Sequence, residues 1–161
     1  MNLIQSLIGK TPINSFVFYS GKFIGYLIWI LAGLVLSGRF DIAILNTPAL
    51  TMAGVIIILA GLLLAIVSLV NLGRSTRFGL PVETTTFKQH GLYRFSRNPM
   101  YLGFNLLSIG SMAVCAHPLV MLLGFYSIYT YHLIIVAEER FLEQRFGKPY
   151  LEFKNTVRRY L

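Results

Sequence analysis

Charged residues are spaced along this chain so as to leave four long apolar runs. Phe16 to Leu36 is interrupted only by Lys22, near one end, where a long side chain buries its stem and keeps its ammonium at the interface. Ala49 to Leu72 carries no charge across 24 positions. At about 1.5 Å per residue that run crosses a hydrocarbon core of roughly 30 Å with some tilt. Asn98 to Ala116 is uncharged over 19 residues, His117-Pro118 then makes a tight turn, and Pro118 to Ala137 forms a fourth run. The pattern predicts an all-α, polytopic integral membrane protein of about four transmembrane helices, the last two forming a C-terminal hairpin. Apolar periodicity continues past the fourth run through Phe141, Leu142 and Phe146, and Gly147 followed by Pro149 is a helix stop. Pro149 to Tyr160 then reads as an amphipathic helix with Tyr150, Phe153, Val157 and Leu161 on one stripe, suited to a membrane surface or to a cover over a site.

Composition agrees: of 161 residues, 55% are hydrophobic and only 12% charged, which no ordinary water-soluble domain shows. The length predicts one membrane-embedded domain, with two spans in residues 1–72 and a loop, hairpin and tail in 73–161. The net charge of +8 does not point to nucleic acid, because Lys and Arg sit at the edges of the apolar runs rather than on one polar face. Two of them, Lys10 and Lys22, lie at the start, five (Arg74, Arg77, Lys88, Arg94, Arg97) lie between the second and third runs, and six follow the fourth. Arg39 alone is on the other side, so the positive-inside rule places both termini and the long loop in the cytoplasm. Met1 to Lys10 lacks the basic start of a secretory signal peptide. Cys115 is a lone cysteine among small apolar neighbours, and the three His with Glu138 and Glu139 show no metal-ligand spacing. No metal is expected. His132 is read as a partner for a hydrogen bond between helices and is left out of the site.

The candidate chemistry gathers in Gly91 to Gly103, where a basic, aromatic loop turns into an apolar helix. Asn98 before Pro99 marks the entry, Asn as a side-chain cap and Pro with its φ pre-set. The helix start adds free N–H groups and partial positive charge to Arg94 and Arg97, beside Tyr93 and Tyr101. On the predicted topology this element shares one membrane face with Glu138 and Glu139, so cationic and anionic groups meet there. The pair suits a ligand carrying both an anion and a cation.

The string Gly-x-Tyr-x-x-x-Arg-Asn-Pro-x-Tyr-x-Gly, followed by Glu138-Glu139-Arg140 and then Phe146-Gly147-x-x-Tyr150, resembles the isoprenylcysteine carboxyl methyltransferase and phospholipid methyltransferase superfamily of membrane enzymes. The resemblance covers roughly residues 72–161. It implies S-adenosyl-L-methionine as cofactor and a lipidic or prenylated methyl acceptor reaching the site from the bilayer. Carried over residue by residue, it implies cofactor binding by Gly91, Tyr93, Arg97, Asn98, Pro99, Tyr101, Leu102, Gly103, Glu138 and Glu139. Arg97 and Glu139 become the candidate catalytic pair, with Tyr150 and Arg158 as candidate substrate-binding residues. Glu suits ribose hydroxyls or an ammonium, Arg a carboxylate, and an aromatic face a sulfonium. A carboxylate acceptor needs no base, whereas an amine or thiol must lose a proton that Glu138 or Glu139 could take. Both stay open in the sequence, as do a membrane reductase using a nicotinamide and a non-enzymatic protein binding lipid headgroups. Gly103 and Gly110 are expected to leave room for sideways entry of the acceptor.

Overall fold

A computed structural model of the chain describes residues 11–45, 47–72 and 90–161, and these build a helical bundle. Helix α1 runs Ser15–Leu36 and α2 Pro48–Leu72. A short 3-10 helix, Gly91–Arg94, precedes α3 (Pro99–Cys115), α4 (Pro118–Phe146) and α5 (Lys148–Thr156). The four long helices start where side chains satisfy free backbone donors or where proline needs none. Asn14 Oδ1 accepts from the Phe16 and Val17 amides at 2.9 and 3.4 Å, Thr47 Oγ1 accepts from Leu50, and His117 Nδ1 accepts from Leu119. Between α3 and α4 the chain reverses through Ala116 alone in the left-handed region, at φ 42°.

Three helices, α1, α2 and α4, are long and apolar enough to cross a membrane, whereas α3 has 17 residues. At about 1.5 Å each those 17 span roughly 25 Å, a little short of an average hydrocarbon core. On α2, Met52, Ile56, Leu59, Leu63, Ile66 and Val70 form one stripe at helical spacing, each 50–73% exposed. Such a face belongs in lipid, and the chain is a membrane protein.

Helix α3 is the centre of the bundle, packing most extensively on α2 and also on α1 and α4. In lipid, close packing rather than burial of apolar surface holds helices together, so small residues sit where backbones touch. A Cβ on Gly61 would stand 2.8 Å from the Gly103 carbonyl, and one on Gly110 would stand 2.7 Å from the Gly54 carbonyl. The expected opening at Gly103 and Gly110 is therefore absent: these glycines seat α3 on α2 and leave no gap for an acceptor. Gly21 and Gly25 bring α1 against Thr130 and Ser127 of α4 in the same way, and Cys115 is buried in the apolar core near Met112 and Val120.

Helix α4 extends through Phe146 to Gly147 at φ 58°, as its sequence pattern predicts. Helix α5 buries Tyr150 and Phe153 but stops at Thr156, short of the Tyr160 expected from periodicity. At Val157 the backbone turns extended and the helix ends, and Leu161 lies 75% exposed rather than on the stripe. The cause is outside the helix. Arg97 Nη1 donates to the carbonyls of Lys154 and Val157 at 2.9 and 2.7 Å, while its backbone N–H donates to the Arg158 carbonyl at 2.9 Å.

Candidate functional site

At the end of the bundle where α3 begins and α4 leaves the other helices, the motif residues converge, as the short α3–α4 turn requires. Glu139 is 3% exposed and accepts five hydrogen bonds. Arg97 grips it with the Nε–Nη2 edge of its guanidinium, Nε to Oε1 at 3.1 Å and Nη2 to Oε2 at 3.2 Å. Arg159 adds Nε and Nη2 to Oε2 at 3.1 and 3.0 Å, and Asn98 Nδ2 donates to Oε1 at 2.9 Å. Such a buried carboxylate keeps its charge because two guanidiniums share it, and the Arg159 guanidinium is in turn held above its ordinary range chiefly by its hydrogen bonds to Glu139.

Two expectations change here. Asn98 occupies the position before α3 but makes no side-chain cap: its amide turns to Glu139 and to the Arg159 carbonyl. Ser96 Oγ takes over locally, accepting from the Asn98 N–H at 3.2 Å and donating to the Arg159 carbonyl at 3.3 Å. Arg97 and Glu139, the candidate catalytic pair, spend their hydrogen-bonding capacity on each other and on the tail. The cluster is a clasp fastening residues 157–160 over the start of α3.

Glu138 is the carboxylate outside the clasp. Neighbours on a helix point about 100° apart, so Glu138 faces into the bundle where Glu139 faces the tail. It accepts a 2.8 Å hydrogen bond from the Tyr101 hydroxyl. Tyr93, buried in the 3-10 helix, lies in its field; burial first, and the Glu138 charge second, push the Tyr93 hydroxyl up to about 12. It remains a donor at neutral pH. Below Glu138 the rings of Tyr101, Phe104 and Tyr131 pack at 5.6–6.1 Å between centroids, and Trp29 of α1 joins Phe104 at 5.5 Å. Lys22 of α1, expected at the lipid interface, places Nζ 4.0 Å from the Phe18 ring centroid, and Phe18 belongs to the same buried cluster as Tyr101 and Tyr131.

The other candidates are placed as follows. Gly91 adopts φ 62° with its Cα against the Asn71 side chain, making the turn that delivers Tyr93. Pro99 is fully buried, Leu102 half-buried in the first turns of α3, and Gly103 on the α2 contact. Tyr150 is 1% exposed, its hydroxyl pushed up to about 12 by burial and then by Glu139, so it packs under the clasp. The Arg158 side chain is exposed and only its carbonyl enters the network. Arg74, Arg77 and Lys88 of the basic loop, and Met1 to Lys10, lie outside the described residues.

Sequence reasoning missed Arg159, Ser96, Lys22 and the bond from the His132 ring to the Tyr160 hydroxyl, 2.7 Å between Nδ1 and oxygen. His132 thus ties α4 to the tail rather than to another long helix. Doublets such as Arg158-Arg159 offer no signal for which member turns inward; that depends on the extended path after Val157. The described residues hold no group of His, Cys, Asp and Glu arranged for a metal.

What the cluster offers a ligand is chemically definite. A carboxylate ringed by tyrosines suits an ammonium or sulfonium, and phenolic hydroxyls suit hydroxyl partners. The donor set around Glu138 therefore suits a cationic ligand that also carries hydroxyls, and an anionic group on such a ligand cannot be taken by Arg97 without breaking the clasp.

Residues 49–149 match the model of the phospholipid methyltransferase family. The chain is also similar to protein-S-isoprenylcysteine O-methyltransferase A of Arabidopsis thaliana, 30% identical over 108 residues, which are 65% of this chain and 55% of that one. It is 29% identical over 119 residues to the protein-S-isoprenylcysteine O-methyltransferase of Saccharomyces cerevisiae, covering 70% of this chain and 49% of that one. A probable enzyme of the same name from Oryza sativa subsp. indica is 28% identical over 113 residues, 65% of this chain and 56% of that one. The chain spans about half the length of these curated relatives.

Proposed function

The chain belongs to the phospholipid methyltransferase family, and from that premise we propose that it is a membrane methyltransferase using S-adenosyl-L-methionine to methylate the carboxylate of a prenylated, lipidic acceptor. The observation that carries this reading is the division of labour between the two adjacent glutamates. Glu139 is saturated by Arg97, Arg159 and Asn98, while Glu138, Tyr101 and Tyr93 form a separate anionic, aromatic wall. Glu138 would hold the cationic part of the cofactor, with Tyr93 and Tyr101 presenting ring faces and hydroxyls. The clasp keeps the tail closed above and excludes water. The bound cofactor would supply an electrophilic methyl group to an acceptor carboxylate oxygen, with the electron pair of the broken carbon–sulfur bond returning to sulfur. No proton has to move, so the site needs no base. The residues' task is alignment and charge matching.

In this reading α1, α2, α3 and α4 all cross the membrane and both termini lie in the cytoplasm, the orientation that the distribution of Lys and Arg favours. Gly91, Arg97, Asn98, Pro99, Leu102, Gly103 and Glu139 serve by building and closing the site, Tyr150 by supporting the clasp. The test is methyl transfer by purified protein in nanodiscs from labelled S-adenosyl-L-methionine to N-acylated farnesylcysteine, with phosphatidylethanolamine in the same discs as competitor. Labelled farnesylcysteine ester is the expected product. Label found only in the phospholipid would move the acceptor to an amine, and label in neither would refute the reading.

A further inference from the structure

Lys22 is an ionisable residue that neither the clasp nor the motif accounts for. It lies in the second turn of α1, about 10 Å along the helix axis from Ser15 at 1.5 Å per residue. Its side chain bends back toward the helix start, as helical side chains do, but the reach ends inside the bundle. The ammonium sits 4.0 Å from the centroid of Phe18, a ring only 3% exposed. Among the described residues it forms no ion pair and no hydrogen bond. The carboxylate whose field it shares is Glu138, which is committed to Tyr101 and reaches Lys22 only through space. An ammonium that served as a membrane anchor would find water or a headgroup; this one faces a buried aromatic cluster formed with Tyr101 and Tyr131. A cation kept there needs an anion when the site is filled, since a half-buried charge is costly unless paired. Lys22 also lies outside the segment, 49–149, that matches the family.

We infer that Lys22 binds the carboxylate of the methyl acceptor, an inference that rests on the methyltransferase reading above. The site would then carry opposite charges for its two ligands: Glu138 toward the cationic cofactor and Lys22 toward the anionic acceptor. The ammonium lies two turns into α1, against Phe18 of the aromatic cluster that would line the path of a prenyl chain. One carboxylate oxygen is held while the other stays free to react. Methylation removes the acceptor's charge, and with it the attraction to Lys22, so the neutral ester leaves in favour of a fresh carboxylate.

The experiment compares wild type, Lys22→Met and Lys22→Arg, all full-length in nanodiscs, for binding of N-acylated farnesylcysteine, its methyl ester and S-adenosylhomocysteine. Wild type should prefer the carboxylate to the ester, and Lys22→Met should lose about ten- to a hundredfold of that preference, the range of a hydrogen bond to a charged group. Lys22→Arg should keep most of it. S-adenosylhomocysteine should bind all three alike, which also confirms folding; if the Met variant does not fold, Lys22→Gln takes its place. An unchanged carboxylate-to-ester ratio in the neutral variant overturns the inference. So does displacement of the farnesylcysteine by phosphatidylserine vesicles in wild type but not in Lys22→Met, which would give the lysine to a lipid phosphate. Loss of discrimination in Lys22→Met by a wild type that transfers no methyl group would support the anion site while refuting the enzymatic reading.

Discussion

Replacing Glu139 by Gln tests the clasp most directly, because the change preserves shape and removes the charge that five donors address. The side chains of Arg97 and Glu139 are 8% and 4% exposed. Breaking one partner of such a buried pair costs about 3–5 kcal/mol. Gln keeps one acceptor oxygen and so recovers about 1 kcal/mol. The Arg159 side chain is 35% exposed, so its share is screened to roughly 0–1 kcal/mol. The net effect is about 3 kcal/mol, concentrated on attachment of residues 157–160 rather than on the bundle, whose helices pack elsewhere. That corresponds to a tail open about a hundredfold more often. Amide exchange reports it residue by residue: the Arg97 N–H donates to the Arg158 carbonyl at 2.9 Å and is freed only when the tail lifts. Glu139→Gln should speed its exchange about a hundredfold. Glu143→Gln, which removes the 35% and 37% exposed pair with Lys154, should change it less than about fivefold. Equal exchange in Glu139→Gln and wild type, or equal acceleration in the two variants, would refute the assignment of Glu139 to the clasp.

Gly103→Leu should abolish folding or lower Tm by more than 10 °C in detergent, since even its Cβ would lie 2.8 Å from the Gly61 carbonyl and the Ala65 amide, with backbone on both sides. Tyr131→Phe should leave Tm nearly unchanged in a melting scan, because among the described residues the buried Tyr131 hydroxyl makes no well-formed hydrogen bond, whereas Tyr101→Phe should weaken S-adenosylhomocysteine binding by about tenfold by freeing Glu138. Stability should fall between pH 10 and 12. The unfolded tyrosines lose their protons near 10.0 and the folded Tyr93 and Tyr150 near 12, so the unfolded state binds fewer protons there, at up to about 1.4 kcal/mol per pH unit for each group. Melting curves of Tyr93→Phe and Tyr150→Phe should show a shallower alkaline decline than wild type.

Much of this architecture is written in one dimension. Apolar runs long enough for a membrane give α1, α2 and α4, and Asn98-Pro99, His117-Pro118 and Gly147 mark three boundaries to within a residue or two. Those signals are legible because they are local: a proline fixes its own φ, and a run of apolar residues specifies its own solvent. The convergence of the Arg97 and Tyr101 segment with Glu138 and Glu139 also follows from sequence, since a hairpin with a two-residue reversal brings both ends together.

What only the folded chain decided is which member of each similar pair faces inward. Glu138 and Glu139 look alike in the sequence, yet 100° of helix rotation gives one to the tyrosines and the other to the clasp. Arg159 rather than Arg158 reaches Glu139, because the chain leaves the helix at Val157, where Arg97 claims the carbonyls of Lys154 and Val157. Periodicity could not foresee that end, for the competing donor lies 60 residues away. Lys22 reads as an anchor in any hydropathy plot, and Gly103 as a gap. Gly103 seats on Gly61 of α2, and the Lys22 ammonium meets Phe18, one turn back on its own helix, in a cluster that Tyr101 and Tyr131 complete from other helices, partners that local sequence does not name.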